Sequence, residues 1–205
     1  MTIKKMLMFA SAIAALVAFA VPAVASAAEW YVDPGGNVAN KTTLNADTNV
    51  TGTGRLSFTA GGLESGPCNV DFAATITNMG GNAKAVINSF TITTPCPTNL
   101  SFLGCEVESA SNNTEEGAEW GVSTEGDTAT IEGVSFTNHY NSACQGLGVP
   151  AEATAEGNAV GEIETGTGCI KFENAGELES AVIGPGELNG QVCIGNMGTD
   201  VITLD

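Results

Sequence analysis

The chain of 205 residues contains a single histidine, His139, so the first question is what chemistry that side chain could perform. A nucleophilic triad needs a histidine that activates a serine or a cysteine. The sequence has no Gly-x-Ser-x-Gly elbow, and one histidine cannot form a three-histidine metal site. We interpret His139 as a surface or strand-end residue and predict that the protein is not an enzyme. No catalytic, cofactor-binding or metal-binding residue is assigned.

Carboxylates are numerous, with 23 Asp and Glu residues in the chain. A pair of them could hydrolyse a glycoside, and the candidates include Glu115, Glu116, Glu119, Asp127 and Glu132. The spacing favours no particular pair, because charged residues usually form a solvated surface. Residues 47–52 are spaced like the start of a calcium-binding EF-hand loop, but Phe58 stands where that loop needs a glutamate. A carboxylate-based hydrolase and structural calcium stay open as alternatives, with no ligand assigned.

The six cysteines form no C-x-x-C pair of the kind used in zinc or redox sites. An even number of cysteines behind an export signal predicts disulfides, and three are expected, among Cys68, Cys96, Cys105, Cys144, Cys169 and Cys193. Cys169 with Cys193 is the preferred pair, since both are out of phase with their apolar neighbours. Cys68 with Cys96 follows, which leaves Cys105 with Cys144. The alternative is Cys68 with Cys144 and Cys96 with Cys105.

The N-terminal segment predicts export. Lys4 and Lys5 precede an apolar run over residues 6–21, followed by Pro22 and the small residues 25–27. This order is typical of a cleavable signal peptide. We therefore expect residues 1–27 to be removed, residues 28–205 to form one domain that is secreted or at the cell surface, and no stable membrane insertion after cleavage.

The predicted mature part is strongly acidic. It keeps all 23 acidic residues but only four basic ones, Lys41, Arg55, Lys84 and Lys171. Such a charge repels nucleic acid and anionic membranes, so nucleic acid is excluded as a partner. A protein, glycan or cation partner stays open.

Alternation of apolar and polar residues with period two predicts antiparallel strands. In the clearest example, Cys68, Val70, Phe72 and further even-numbered residues share one face, and the turn at residues 78–82 leads into a second alternating strand. Pairing Phe72 with Phe90 and Val70 with Ile92 aligns both apolar faces and predicts a hairpin.

Other strands are less regular. The run of residues 129–136 changes parity, which a β-bulge at Gly133 would correct. Residues 150–165 offer little apolar area and are expected to form a weakly held edge strand or loop. Residues 33–54 are expected to form a long loop and residues 174–176 a turn. Strands are expected around Leu103, Cys105 and Val107.

About ten short strands with regular turns predict an all-β fold, an antiparallel β-sandwich, with a β-barrel as the alternative. Trp120 alternates with Ala118 and Val122, which favours core packing over sugar binding. Trp30 and Tyr31 are expected to hold the N-terminal strand to the sheet. The predicted function is an exported, non-enzymatic structural, cell-surface or interaction module. The alternatives are a secreted carbohydrate- or calcium-binding module and, after these, the carboxylate-based hydrolase.

Overall fold

The computed structural model describes residues 28–36, 41–195 and 200–205, and the predicted signal peptide lies outside these residues. The described strands are β1 (Trp30–Asp33), β2 (Thr42–Thr43), β3 (Thr48–Ala60), β4 (Leu63–Asn78), β5 (Ala83–Ile92), β6 (Cys96–Pro97), β7 (Glu106–Asn112), β8 (Trp120–Glu125), β9 (Thr128–Tyr140), β10 (Glu152–Glu164), β11 (Cys169–Ser180), β12 (Gly184–Ile194) and β13 (Val201–Leu204). A short helix, α1 (Ser142–Gly146), follows β9, and 3₁₀ turns lie at Pro34–Gly36, Ser101–Leu103 and Asn113–Glu116. Within the described ranges, no helix is long and apolar enough to span a membrane.

Eight antiparallel strands close into a barrel. Their order is β10-β11-β12-β3-β4-β5-β8-β9, and β9 pairs back with β10 to complete the ring. The all-β class and the presence of three disulfides are confirmed, and of the two architectures expected, the chain adopts the barrel. Because β9 pairs back with β10, the ring has no free first or last strand of the kind with which another chain could pair.

The predicted hairpin is confirmed in its register. Val70 pairs with Ile92 and Phe72 pairs with Phe90 across β4 and β5. These side chains face the interior, where Val70, Phe72 and Phe90 are all buried.

The predicted β-bulge is present in β9. Gly157 of β10 pairs with Val134 and Ala159 pairs with Ile131, so β9 carries one extra residue between these pairs. Gly133 has a φ of 75°, a conformation that glycine adopts without steric cost. As a result, Ile131 and Val134 both point into the core despite their opposite parity.

The prediction for residues 150–165 is wrong. This segment is β10, which pairs with β9 on one side and β11 on the other and so closes the barrel. Apart from Ile163, its inward side chains are small, and larger residues of the neighbouring strand cover them: a Cβ at Gly161 would lie 2.6 Å from Ile170 and 2.9 Å from Phe172. Two rows of backbone hydrogen bonds therefore fix a register that the strand's own apolar area would leave loose.

Three smaller expectations also need correction. The segment 33–54, expected from the sequence to be a loop, contains β2 and the start of β3. Gly52 and Gly54 lie on the inner face of β3. Residues 174–176 are not a turn but lie inside β11, where the register shifts and Asn174 has a φ of 51°. Leu103 belongs to a 3₁₀ turn and is half exposed, so the strand there begins only at Glu106.

A second sheet, β13-β1-β2, lies at one end of the barrel and is called the cap sheet below. Trp30 from this sheet is buried with the barrel core, and its indole Nε1 donates a hydrogen bond to the Lys84 carbonyl at 2.9 Å. The Asn78 side chain joins the cap sheet to the barrel, since it accepts from the Trp30 amide and donates to the Trp30 and Leu44 carbonyls. Trp30 thus anchors the N-terminal strand, as expected, but as a cap on the barrel.

The opposite end is closed by a second group of buried side chains, which we call the disulfide-end cluster. Its members are Leu63, Cys68, Cys96, Cys105, Val107, Tyr140, Cys144 and Ala153. Two disulfides, Cys68–Cys96 and Cys105–Cys144, lie within it, and the third, Cys169–Cys193, joins β11 to β12. These are the pairs preferred from the sequence. Such bridges form in oxidising compartments.

Candidate functional site

The barrel interior encloses a cavity. The cavity has a volume of about 80 Å³, and all eight barrel strands contribute to its wall. The lining is almost entirely apolar, and rings from Trp30, Phe72, Phe90 and Trp120 form part of it. Empty cavities in proteins are typically lined in this way, because apolar walls offer water no hydrogen bonds.

Glycines on the inner face make room for aromatic rings. A Cβ at Gly52 would lie 2.1 Å from Cζ of Phe72, and a Cβ at Gly186 would lie 2.2 Å from Cε2 of Phe58. The rings therefore pack directly against the backbone of the opposing strands. Phe58 also makes an edge contact with Phe136, with ring centroids 5.3 Å apart. This pairing of large with small residues fills a small barrel.

Three polar side chains interrupt the apolar wall, namely Ser57, Ser65 and Asn138. Ser65 is buried, and its hydroxyl lies 2.7 Å from the Tyr140 hydroxyl, so these two groups satisfy each other. Asn138 is only 4% exposed. Its side-chain amide makes no hydrogen bond with any residue of the described part of the chain. Asn138 therefore presents an unused donor and an unused acceptor to the cavity.

A second buried asparagine, Asn112, shows how the fold normally treats such a group. Its amide nitrogen donates to the Phe90 carbonyl at 2.7 Å, and its carbonyl oxygen accepts from the Thr114 amide at 3.0 Å and also from the Thr114 hydroxyl. The Thr114 hydroxyl in turn accepts from the Phe90 amide at 3.1 Å. Buried polar groups are generally paired in this way. Among the cavity residues, the Asn138 amide and the Ser57 hydroxyl have no such partner in the described part of the chain.

The same contacts close a seam in the barrel wall. β5 pairs with β8 only over Lys84–Ile87, and beyond that point the side chains of Asn112 and Thr114 take the place of a neighbouring strand for Phe90. The ring of Phe90 packs on Trp120 at a centroid distance of 4.8 Å. The wall between β5 and β7 is thus held by side chains, not by a continuous backbone ladder.

The residues considered for catalysis lie away from this cavity. His139 points outward at the end of β9, with Nδ1 3.5 Å from Oε2 of Glu152, and its side chain is 41% exposed. Glu119, Asp127 and Glu132 are exposed, and the side chains of Glu115 and Glu116 lie outside the described part. Residues 47–52 form the start of β3 and its approach, not a calcium loop. Within the described residues, no three metal-ligating side chains come together.

The aromatic residues considered for sugar binding are mostly internal. Trp30 and Trp120 are 2% and 3% exposed, so both pack in the core, as predicted for Trp120. Tyr31 is half-buried, its hydroxyl donates to Glu29 at 3.1 Å, and the Lys41 ammonium lies 4.3 Å from the ring centroid. Burial, together with the Glu29 carboxylate, raises the pKa of Tyr31.

Comparison with protein-family models, with curated proteins and with solved structures finds no match to this chain. A function for this chain must therefore be inferred from the cavity and its geometry.

Sequence reasoning missed Asn138. The signal was present, because Val134, Phe136, Asn138 and Tyr140 share one parity and Asn138 is the one amide in an otherwise apolar or aromatic face. A polar residue in the phase of the core points to a buried hydrogen-bonding group. Only the three-dimensional structure shows that the amide faces a cavity.

Proposed function

We propose that this chain is an exported, non-enzymatic binding module that encloses a small apolar molecule inside its barrel. The observation that carries the proposal is the apolar cavity at the centre of the closed sheet. Eight-stranded barrels are wide enough to be filled by side chains or to hold one small ligand. Here the inner face leaves space unfilled.

The size of the cavity limits the ligand. Its 80 Å³ is roughly half the volume of an engineered apolar cavity of about 150 Å³ that stays dry and binds benzene or xenon. The unmodified cavity therefore suits an atom or a molecule smaller than benzene, and larger rings enter only if the wall side chains move. An apolar ligand gains about 25 cal/mol for each Å² of surface that it removes from water.

The chemistry of the lining supports binding as the role. The polar groups on the wall are the hydroxyls of Ser57 and Ser65 and the amide of Asn138, all of them neutral near pH 7. Such groups orient a bound molecule by hydrogen bonds. Export is supported by the N-terminal leader pattern and by the three disulfides, and the intact mass of protein recovered from culture fluid should correspond to a chain that begins at Ala28.

Occupancy of the cavity can be tested with xenon and with propane, both of which are smaller than benzene. Methyl resonances of cavity-lining residues such as Val70, Ile87 and Val192 should shift in a saturable manner as either probe is added. Ala74 lines the cavity, so Ala74→Val should reduce its free volume and weaken binding of both probes.

The adjacent residue provides a matched control. Ala73 pairs with Ser89 on the outer face of β4, so Ala73→Val adds the same two methyl-equivalent carbons without entering the cavity. Its binding curves should match those of the unmodified protein. Absence of saturable shifts in the unmodified protein, at probe concentrations up to the solubility limit, would reject the proposed function.

A further inference from the structure

We infer that the natural ligand carries one neutral hydrogen-bonding group, a hydroxyl or a carbonyl, and that the Asn138 amide binds this group. The inference rests on the proposed function, and it adds the chemical class of the ligand and the way it is oriented. Its basis is an amide that is 96% buried, lines the cavity and has no hydrogen-bond partner in the described residues.

An unpaired buried amide is costly to a folded protein. Removing such a group from water without a compensating hydrogen bond opposes folding. The fold meets this requirement fully at Asn112, where both ends of the amide are bonded. At Asn138 a ligand that enters the cavity supplies the missing partner.

The position of Asn138 sets the orientation of the ligand. Asn138 lies two residues before Tyr140 on the same face of β9, and Tyr140 belongs to the disulfide-end cluster. Ser65, which also lines the cavity, holds the Tyr140 hydroxyl at 2.7 Å. The polar groups of the wall thus lie toward the disulfide end, and Trp30 closes the wall at the cap-sheet end. The ligand's polar group points toward the disulfide end and its hydrocarbon part toward the cap sheet.

The amide also defines which polar groups fit. Its NH₂ donates and its carbonyl accepts, so both alcohols and ketones find a partner. A charged group is disfavoured, because the wall contains neutral polar side chains and a buried charge without a counter-charge is strongly destabilised. The ligand class is therefore a small, neutral hydrocarbon with a single hydroxyl or carbonyl.

The test compares three molecules with the same three-carbon skeleton, all smaller than benzene, namely propane, 2-propanol and acetone. Dissociation constants are measured by methyl NMR titration for the unmodified protein and for Asn138→Leu, which keeps the side-chain shape and removes the hydrogen bonds. In the unmodified protein, the ratio of the propane dissociation constant to the 2-propanol or acetone dissociation constant reports the preference for a polar group. That ratio should fall by up to about tenfold in Asn138→Leu, as expected for one net hydrogen bond. Binding of propane should be retained.

Controls separate this inference from the proposed function. Thr137→Val changes the neighbouring residue, whose hydroxyl bonds Thr154 on the outer face, and should leave the ratio unchanged. Asn138→Ala provides a second variant if the leucine does not fold, and it should lower the ratio in the same way. If propane binds and the ratio is the same in all these proteins, the role of Asn138 is refuted and the apolar site stands. If none of the three molecules binds the unmodified protein, both proposals fail.

Discussion

Replacement of Asn138 with leucine should make the ligand-free protein more stable. The side chain of Asn138 is buried, faces the apolar cavity and has no hydrogen bond to the described residues. Leucine has nearly the same shape and no polar atoms, so the change removes a desolvation cost without opening a hole. This outcome is unusual, because most substitutions at buried positions destabilise a protein.

The expected gain follows from the cost of the unpaired amide. Mutational data on proteins place the cost of a fully buried, unpaired amide at about 1–3 kcal/mol. The Asn138 amide keeps some surface that faces the cavity, so the free energy of unfolding should rise by up to this amount. In a domain of this size, each kcal/mol raises the unfolding midpoint by about 2–4 °C.

Asn112→Leu provides the matched comparison, with the opposite sign. Its amide bonds the Phe90 carbonyl and the Thr114 amide, and the leucine would leave both of these buried groups without a partner. We expect a loss of about 2 kcal/mol or more. Two substitutions of the same type, both at buried asparagines in one barrel, should therefore move stability in opposite directions.

Guanidinium unfolding under non-reducing conditions measures both changes. Trp30 and Trp120 are buried and report unfolding by fluorescence, and equal m-values would show that the midpoints compare stability alone. Protein refolded from denaturant should be used, so that no co-purified molecule occupies the cavity. If Asn138→Leu is neutral or destabilising while Asn112→Leu behaves as expected, the Asn138 amide is satisfied in the free protein and the reasoning that assigns it to a ligand is refuted.

Three further predictions concern other parts of the fold. Replacing both Cys169 and Cys193 with alanine should lower the free energy of unfolding by about 3.5 kcal/mol, because their bridge closes a segment with a sequence separation of 24 residues. Denaturant unfolding of the variant and of the unmodified protein measures the change, and an unaltered midpoint would contradict the prediction. Gly52→Ala should destabilise the barrel by about 1–3 kcal/mol, since its Cβ would lie 2.1 Å from the Phe72 ring; a thermal midpoint equal to that of the unmodified protein would show that the ring moves at no cost. The raised pKa of Tyr31 means that the folded state favours the neutral phenol. The contribution of Tyr31 to stability is therefore present below the unfolded-state pKa of about 10 and is lost as pH rises through the folded-state pKa. Unfolding measured from pH 8 to 11 should show this decline in stability, and the decline should be weaker in Tyr31→Phe.

Local patterns predicted much of the wall of the barrel. Alternation over β4 and β5 sufficed to pair Val70 with Ile92, because one face of a strand must be apolar along its whole length and a slip of one residue would reverse every side chain. The parity change near Gly133 identified a bulge for the same reason. The phase of Cys169 and Cys193 against their apolar neighbours placed both on the outer face, where they pair directly.

The sequence by itself thus determined the all-β class, the register of the clearest hairpin and the preferred cysteine pairs, all of which depend on residues close together in the chain or on one repeating phase. The tertiary structure alone decided that the sheet closes through β10, that Trp30 caps one end, and that Asn138 faces a cavity. Closure depends on backbone hydrogen bonds between whole strands. β10 is rich in Ala and contains Gly, so its side chains do not predict that its backbone pairs with a strand on each side. The cavity likewise depends on how side chains from eight strands fill a shared volume, and no single strand carries that information.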